Sequence, residues 1–232
     1  MATSFGQPHR VLSAFGSGSG AGGWSSQNLY PRLLADVNGE GNADIVGFAS
    51  NGVYVSLADA LGGFFAPTFV AGSSFWGAQT GGWSSQDAYP REIADVNGDN
   101  MADIVGFAQS GIYMSLSTGG GGTFGAPTLI PNSSFWGANT GGWSSNDLYP
   151  RELANITKGD RKADIVGFAQ DGVWTSLAFE PLGGAPVSSP DVALLSQYMA
   201  GSFATSSDGS GGTLITDTAP PTQPDWLTSP HP

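Results

Sequence analysis

The sequence predicts an all-β chain of β-propeller blades: three four-stranded antiparallel sheets, followed by a short helix and a disordered tail. Two observations carry the prediction. The segment GGWSSQDAYPREIADVNGDNMADIVGFAQSGIYMSL, Gly81 to Leu116, occurs three times with few changes, and its leading tryptophan falls at Trp24, Trp83 and Trp143, 59 and 60 residues apart. A constant period of this size marks a repeat architecture whose units bury their apolar faces against one another. Within each period, short runs of β-formers alternate with Gly-rich turns and no helical periodicity intervenes; a β-solenoid is the alternative. Propellers close with about four to eight blades. Three are too few, so the chain is expected either to belong to a larger ring or to self-associate, two chains making six blades.

Each unit opens on an FG-x-P element: Phe5-Gly6-Gln7-Pro8, Phe65-Ala66-Pro67 and Phe124-Gly125-Ala126-Pro127. The units are therefore placed at about 5–58, 64–117 and 124–178, joined by Gly-rich turns such as 118–123. In copy two, Arg91 to Asp95 reads as a short strand and Ala102 to Ala108 as a buried one, because Ile104, Val105 and Phe107 form a near-continuous apolar run. Gln109-Ser110 makes a hairpin turn into Gly111 to Ser117, where Ile112, Met114 and Leu116 alternate with Tyr113 and Ser115 as in a half-buried strand. Thr128 to Ile130 supplies a fourth strand. After Ala178 the period stops. Residues 179–190 are a Pro/Gly/Ser linker, and 191–204 hold a short amphipathic helix started by Pro190-Asp191 and stopped by Gly201. The Ser/Gly/Thr/Pro-rich stretch 205–232 reads as disordered.

Lys plus Arg number 7 against 19 Asp plus Glu, a net charge of -12, so phosphate backbones and anionic membranes are repelled and a bound cation is favoured. With no cysteine there is neither a disulfide framework nor a thiolate metal site. The N-terminus has no sustained apolar h-region and no stretch approaches the ~20 apolar residues of a spanning helix. A soluble chain without a cleavable signal is expected.

The combination AD-x-x-G-x-x-x-ADIVGF, GV/IY-x-SL, G-x-FG-x-P and GGW resembles the FG-GAP/VCBS repeat superfamily. The GGW followed by an x-R element resembles, within it, the mushroom and bacterial propeller lectins that bind N-acetylglucosamine or fucose. That resemblance implies sugar pockets between neighbouring blades and calcium in the acidic loop. One departure stands out: the lectins' His before the x-R element is Tyr here, at Tyr30, Tyr89 and Tyr149. The tail, with LLSQYMAGSF, resembles the C-terminal ends of bacterial repeat proteins exported in one step, which implies a secreted, extracellular protein.

Sugar binding needs a flat apolar ring to stack on a pyranose face and fixed polar groups for the hydroxyls. Each GGW-S-S-x-x-x-Y-P-R block offers both: Trp83, Ser84, Gln86, Tyr89 and Arg91 in copy two, Trp24, Tyr30 and Arg32 in copy one, Trp143, Asn146, Tyr149 and Arg151 in copy three. The Gly-rich segment before each Trp and the small polar residues after it predict a ring that is not fully enclosed. Further rings at Trp76 and Trp136 lie just upstream, where copy one has Gly16. Equal weight goes to a structural corner, with Trp capping a blade end and Arg bonding backbone carbonyls.

The loop of copy two places oxygens at Asp95, Asn97, Asp99 and Asp103, with the Met101 carbonyl, as a hard cation requires, and Gly98 allows the turn. Copy one offers Asp36, Asn38, Glu40 and Asp44, with the Asn42 carbonyl. Copy three, Asn155 to Asp164, carries Lys158, Arg161 and Lys162 among its oxygens and is expected to have lost its ion. An Asx-rich turn bonding its own amides is the alternative for all three. Catalysis finds little support: His9 and His231 are the only histidines, so no His-based triad or zinc site is built. The expected function is a non-catalytic, multivalent carbohydrate-binding protein. An adhesive domain contacting protein, or a non-catalytic part of a larger secreted enzyme, is the alternative.

Overall fold

The computed structural model describes residues 4–178 and the backbone of two further strands, 203–207 and 213–217. The chain divides into two compact units, 1–180 and 181–232. The first holds three antiparallel sheets. Sheet one runs β1 (Arg32–Ala35), β2 (Asp44–Phe48), β3 (Val53–Ser56), β4 (Thr68–Phe69) in that order. Sheet two repeats it as β5 (Arg91–Ala94), β6 (Asp103–Phe107), β7 (Ile112–Ser115), β8 (Thr128–Leu129). Sheet three has β9 (Arg151–Ala154), β10 (Asp164–Ala169) and β11 (Gly172–Ser176), and no fourth strand among the described residues. First strands lie side by side, β1 against β5 and β5 against β9, so the sheets succeed one another as blades. The predicted all-β blade architecture is observed.

The unit boundaries at 5–58, 64–117 and 124–178 need correction. The FG-x-P element that opens each sequence unit supplies the last strand of the sheet before it: Thr68–Phe69 pairs with β3 and Thr128–Leu129 with β7. The strand expected at Thr128 to Ile130 as the fourth of copy two is observed at Thr128–Leu129, and hydrogen bonding, not the FG-x-P boundary, sets the phase of the sheets. Phe65 N donates to the Leu57 carbonyl and Gly125 N to the Leu116 carbonyl, which fastens each element backward.

The DIVGF run is buried because both faces of the second strand are covered. Ile104, Phe107 and Val105 are at most 3% exposed. One core cluster joins Val46, Phe48 and Val53 of blade one to Trp76, Trp83 and Ile104 of blade two; a second joins Phe107 and Ile112 of blade two to Trp136 and Trp143 of blade three. The core therefore lies between blades as much as within them, as a unit too small to stand alone requires. Emptying one such position, Phe107→Ala, removes a buried ring worth about 3–5 kcal/mol.

In the second unit, β12 (Phe203–Ser207) pairs antiparallel with β13 (Thr213–Asp217), Phe203 opposite Asp217 and Ser207 opposite Thr213. This corrects the expected disordered tail over that stretch. Thr205, Thr213, Ile215 and Thr216 are β-branched and flank the turn-forming sequence DGSGG, a hairpin signal that bulk composition concealed. The helix expected over 191–204 falls on residues 191–202 outside the described set, and on Phe203–Ala204 of β12.

Candidate functional site

The GGW tryptophans are enclosed, which corrects the expectation of an open ring. Trp83 is 2% exposed and Trp143 3%. The cause is the glycine of DIVGF: a methyl group on Gly106 would strike the rings of both Trp83 and Trp76, and one on Gly167 those of Trp143 and Trp136. Each Trp thus lies down on a strand that has no side chain there, paired with the upstream Trp at 4.9 Å in blade two and 5.0 Å in blade three. The first glycine of the triplet is explained in the same way, since a Cβ on Gly81 would meet the backbone carbonyl of Phe75. The backbone that approaches so closely belongs to the protein. The indole Nε1 of Trp83 and of Trp143 is buried without a hydrogen-bond partner.

Arg91 and Arg151 are 0% exposed, so neither is available to a ligand. Arg91 Nη1 donates to the Trp76 carbonyl, and Nη2 donates to the Leu29 carbonyl of the preceding blade at 3.4 Å. Its guanidinium stands 5.1 Å over Phe48, as that of Arg151 stands 5.3 Å over Phe107. Burial pushes each down to about 10, still charged at neutral pH. Gln86 is committed to its own loop, donating to the Arg91 carbonyl and accepting from the Arg91 amide; Asn146 accepts from the Arg151 amide. Tyr89 and Tyr149 are half-buried against the two core clusters, and Ser84 alone of the copy-two set is exposed. In copies two and three the block has the geometry of a structural corner.

The acidic loops fold as Asx turns. Asp95 Oδ1 accepts the amides of Asn97 and Gly98 and Oδ2 that of Asn100, while Asp99 Oδ1 accepts that of Met101. Asp36 does the same for Asn38, Gly39 and Gly41. Asp103 and Asp44, 0% exposed, do not fit as cation ligands. Asp103 Oδ2 accepts from Val96 N and Oδ1 from Ser117 N; Asp44 takes Val37 N and Ala58 N in the same way. Each is a clamp tying its loop to the end of the third strand, and Asp164 repeats it with Ile156, Thr157 and Ala178. Burial pushes Asp103 up to about 6, with the charges of Asp99 and Asp95 adding to it against the two amides. For Asp164 burial opposes, but the amides of Ala178, Ile156 and Thr157 prevail and hold the carboxyl below its ordinary range. Among the described residues no three His, Cys, Asp or Glu side chains converge as a metal-holding group.

Blade one differs. A cavity of 490 Å³ opens there, lined by the rings of Phe15, Trp24, Tyr30 and Tyr54 and by Ala14, Ser13, Ser50 and Asn51. In blade two the corresponding slot holds Phe75, 4.8 Å from Tyr113 and 5.9 Å from Trp83; in blade three it holds Phe135, 5.2 Å from Trp174. Equivalence follows from the arginines. Arg32 Nη1 donates to the Phe15 carbonyl as Arg91 does to that of Trp76, so Phe15 takes the Trp76 place and Ala14 the Phe75 place. Spacing alone aligns Gly16 with these rings and misses Phe15, Ala14 and Tyr54; the absence of SSFW from copy one was the available signal. Phe15 has a left-handed φ of 56°, a conformation that costs on the order of 1–3 kcal/mol and gathers at functional sites. Of the predicted residues, Trp24 and Tyr30 reach this cavity, and Arg32 props its wall through the Phe15 and Trp24 carbonyls. A second, open groove of 620 Å³ crosses the three blades along Gln27, Asn28, Gln86, Asp87, Ser145, Asn146 and Asp147, all polar and without a ring.

Among solved structures, the chain is similar to an Agrocybe aegerita lectin studied for specific recognition of non-reducing terminal N-acetylglucosamine. The likeness has 38% identity and a TM-score of 0.65, over 75% of this chain and 40% of that one. The chain thus spans less than half the length of that lectin. Slighter likenesses, 19% identical with TM-scores of 0.46 and 0.45, are to the Photorhabdus luminescens Tc holotoxin pore and a TcdB2–TccC3 structure. They cover 63% and 62% of this chain and 6% of each of those, and carry no argument. No family model matches the chain, and no curated protein matches it. Among the described residues no helix is long and apolar enough to cross a membrane.

Proposed function

We propose that this chain binds carbohydrate without catalysis, and that the blade-one cavity receives a sugar ring. The observation that carries the reading is the slot that blades two and three fill with their own phenylalanine and blade one leaves open, at 490 Å³. A cavity of that size with aromatic walls and a few polar groups suits a small ring that is apolar on one face and hydroxylated at its rim. Tyr54, half-buried, offers a ring, and Trp24, 8% exposed, closes the wall behind it; Ser13, Ser50 and Asn51, whose Nδ2 donates to the Tyr54 hydroxyl at 3.5 Å, offer the polar edge. Similarity to a lectin that recognises terminal N-acetylglucosamine supports that ligand class. The polar groove across the blades offers donors and acceptors to the hydroxyls of a longer glycan.

The reading extends to calcium only at the outer loop oxygens: Asp95, Asn97, Asp99 and the Met101 carbonyl in copy two, and Asp36, Asn38, Glu40 and the Asn42 carbonyl in copy one. Asp103 and Asp44 stay in their clamps.

The test fills the slot with the residue the other repeats use. On a glycan array and by calorimetry with N-acetylglucosamine, the native chain is expected to bind, and Ala14→Phe to lose at least tenfold in affinity while melting no lower. A native chain silent on the array overturns the carbohydrate reading. A native chain that binds, with an Ala14→Phe variant that binds equally, moves the site out of the cavity.

A further inference from the structure

Among the described residues, three parts of the first unit lack a partner that their repeats possess. The first is β11. All five of its residues are exposed, with Val173 at 61% and Trp174 at 42%, whereas in β3 and β7, covered by β4 and β8, every residue is buried or half-buried. An uncovered strand edge with apolar side chains is a template for pairing with another chain. The second is the segment 5–11. Its sequence, FGQPHRV, aligns with FGAPTLI of 124–130, within which Thr128–Leu129 forms the fourth strand of sheet two, yet among the described residues it pairs with no strand and is exposed throughout, Phe5 at 101%.

The third is the face between blades. Phe48 and Phe107 are 0% exposed under Arg91 and Arg151, but Phe168, their equivalent in blade three, is 45% exposed, with no arginine over it among the described residues. Backbone bonds tell the same story. Ala102 N donates to the Asp36 carbonyl and Ala163 N to that of Asp95; Gln86 N donates to the Asn28 carbonyl and Asn146 N to that of Asp87. Among the described residues, the matching donors on blade one, Ala43 N and Gln27 N, and the matching acceptors on blade three, the Asn155 and Asp147 carbonyls, make no such bond. Blade one thus presents donors and a cation in Arg32, and blade three presents acceptors and a ring.

We infer that a second copy of this chain supplies the missing halves: residues 5–11 of each copy add to the β11 edge of the other as its fourth strand, while blade one of each packs on blade three of the other. Such a contact is head-to-tail, and it closes when repeated by a two-fold axis. The result is six blades, within the range in which propellers close. Strand addition of this kind draws its affinity from main-chain hydrogen bonds.

The repeats fix the register. Tyr113 pairs with Leu129 and Met114 with Thr128, as Tyr54 does with Phe69 and Val55 with Thr68. Across copies, Trp174 therefore faces Arg10 and Thr175 faces His9. Ile130 N donates to the Ile112 carbonyl, so Val11 N donates to that of Val173.

The chain has no cysteine, which allows a clean cross-link. Residues directly opposite in an antiparallel pair have Cα atoms about 4.5–5.5 Å apart, within disulfide range. The full chain carrying both His9→Cys and Thr175→Cys is oxidised and run without reductant, beside sedimentation of the native chain and of Val11→Pro, which lacks the bonding amide. The expected result is a covalent product of twice the 23.7 kDa chain mass, a native chain that sediments as a dimer, and a Val11→Pro dimer at least tenfold weaker. A native chain that sediments singly at micromolar concentration overturns the inference. So does a bridge formed within one chain, or a ladder of higher multiples in place of a closed pair. No sugar enters the measurement, so it is decided apart from carbohydrate binding.

Discussion

The guanidinium of Arg91 stands 5.1 Å over the ring of Phe48, a residue of the preceding blade, and both side chains are 0% exposed. A repeat that reads in sequence as YPR followed 16 residues later by the Phe of ADIVGF is in space a bond between one copy's Arg and its neighbour's Phe. Truncating Arg91 to Ala leaves a cavity and unpairs the Trp76 and Leu29 carbonyls. Urea unfolding of Arg91→Ala is expected to show a loss of about 3 kcal/mol. A double-mutant cycle with Phe48→Leu isolates the pair itself, for which a coupling of about 1–2 kcal/mol is expected. Additive losses would remove the inter-blade role of the pair.

Gly106 should tolerate no side chain. Its missing Cβ is the space in which Trp83 and Trp76 lie. Gly106→Ala overpacks that space, at about 1–3 kcal/mol, and lifts two indoles from the strand. A lower melting temperature together with altered near-UV dichroism is expected; an unchanged aromatic spectrum would mean that the rings do not rest there.

Strand content and turn positions were legible in the sequence because burial on two faces leaves an apolar run such as DIVGF, and half-burial leaves alternation such as IYMS. The fate of the Trp in GGW was not. A ring flanked by Gly and Ser looks open in one dimension, but the glycine that receives it, Gly106, lies 23 residues away and only the fold brings the two together. The blade-one cavity was hidden for a related reason. Phe15 reaches the Trp76 place through a left-handed residue and a longer loop, so counting positions paired the wrong residues. Likewise Asp103 resembles Asp95 in a list of oxygens, while burial and the Ser117 amide separate their roles.

Stability should rise as pH falls from about 8 to about 5. Burial pushes Glu92 up to about 7 from 4.5, with the charge of Glu152 adding to it and the Gln86 hydrogen bond opposing. Asp103 stands at about 6 for the reasons given above. A carboxyl raised in the folded state binds more protons there than in the unfolded chain between the two pKa values, so its contribution is full below the unfolded value and is lost as pH rises through the folded one. For Glu92 the window is 4.5 to about 7. The combined effect is expected on the order of 2 kcal/mol, and Glu92→Gln should flatten most of it in melts across that range. A Glu92→Gln profile parallel to that of the native chain would place the titration elsewhere.

Calcium and the clamp can be separated by two substitutions in one loop. Asp103→Asn keeps shape but turns one of the two accepting oxygens into an NH2 that cannot accept, which unpairs Val96 N or Ser117 N; it should lower the melting temperature equally in chelator and in excess calcium, by about 1–3 kcal/mol of stability. Asp99→Ala touches an exposed side chain whose bonds are to Met101 N and Asn97 Nδ2, and should leave the chelated protein nearly unchanged. If the outer oxygens hold an ion, calcium raises the native melting temperature through ligation of the folded state alone, and Asp99→Ala abolishes that rise while Asp103→Asn retains it. Equal melting of the native chain in chelator and in calcium would remove the ion and leave the loop as an Asx turn held by its own amides.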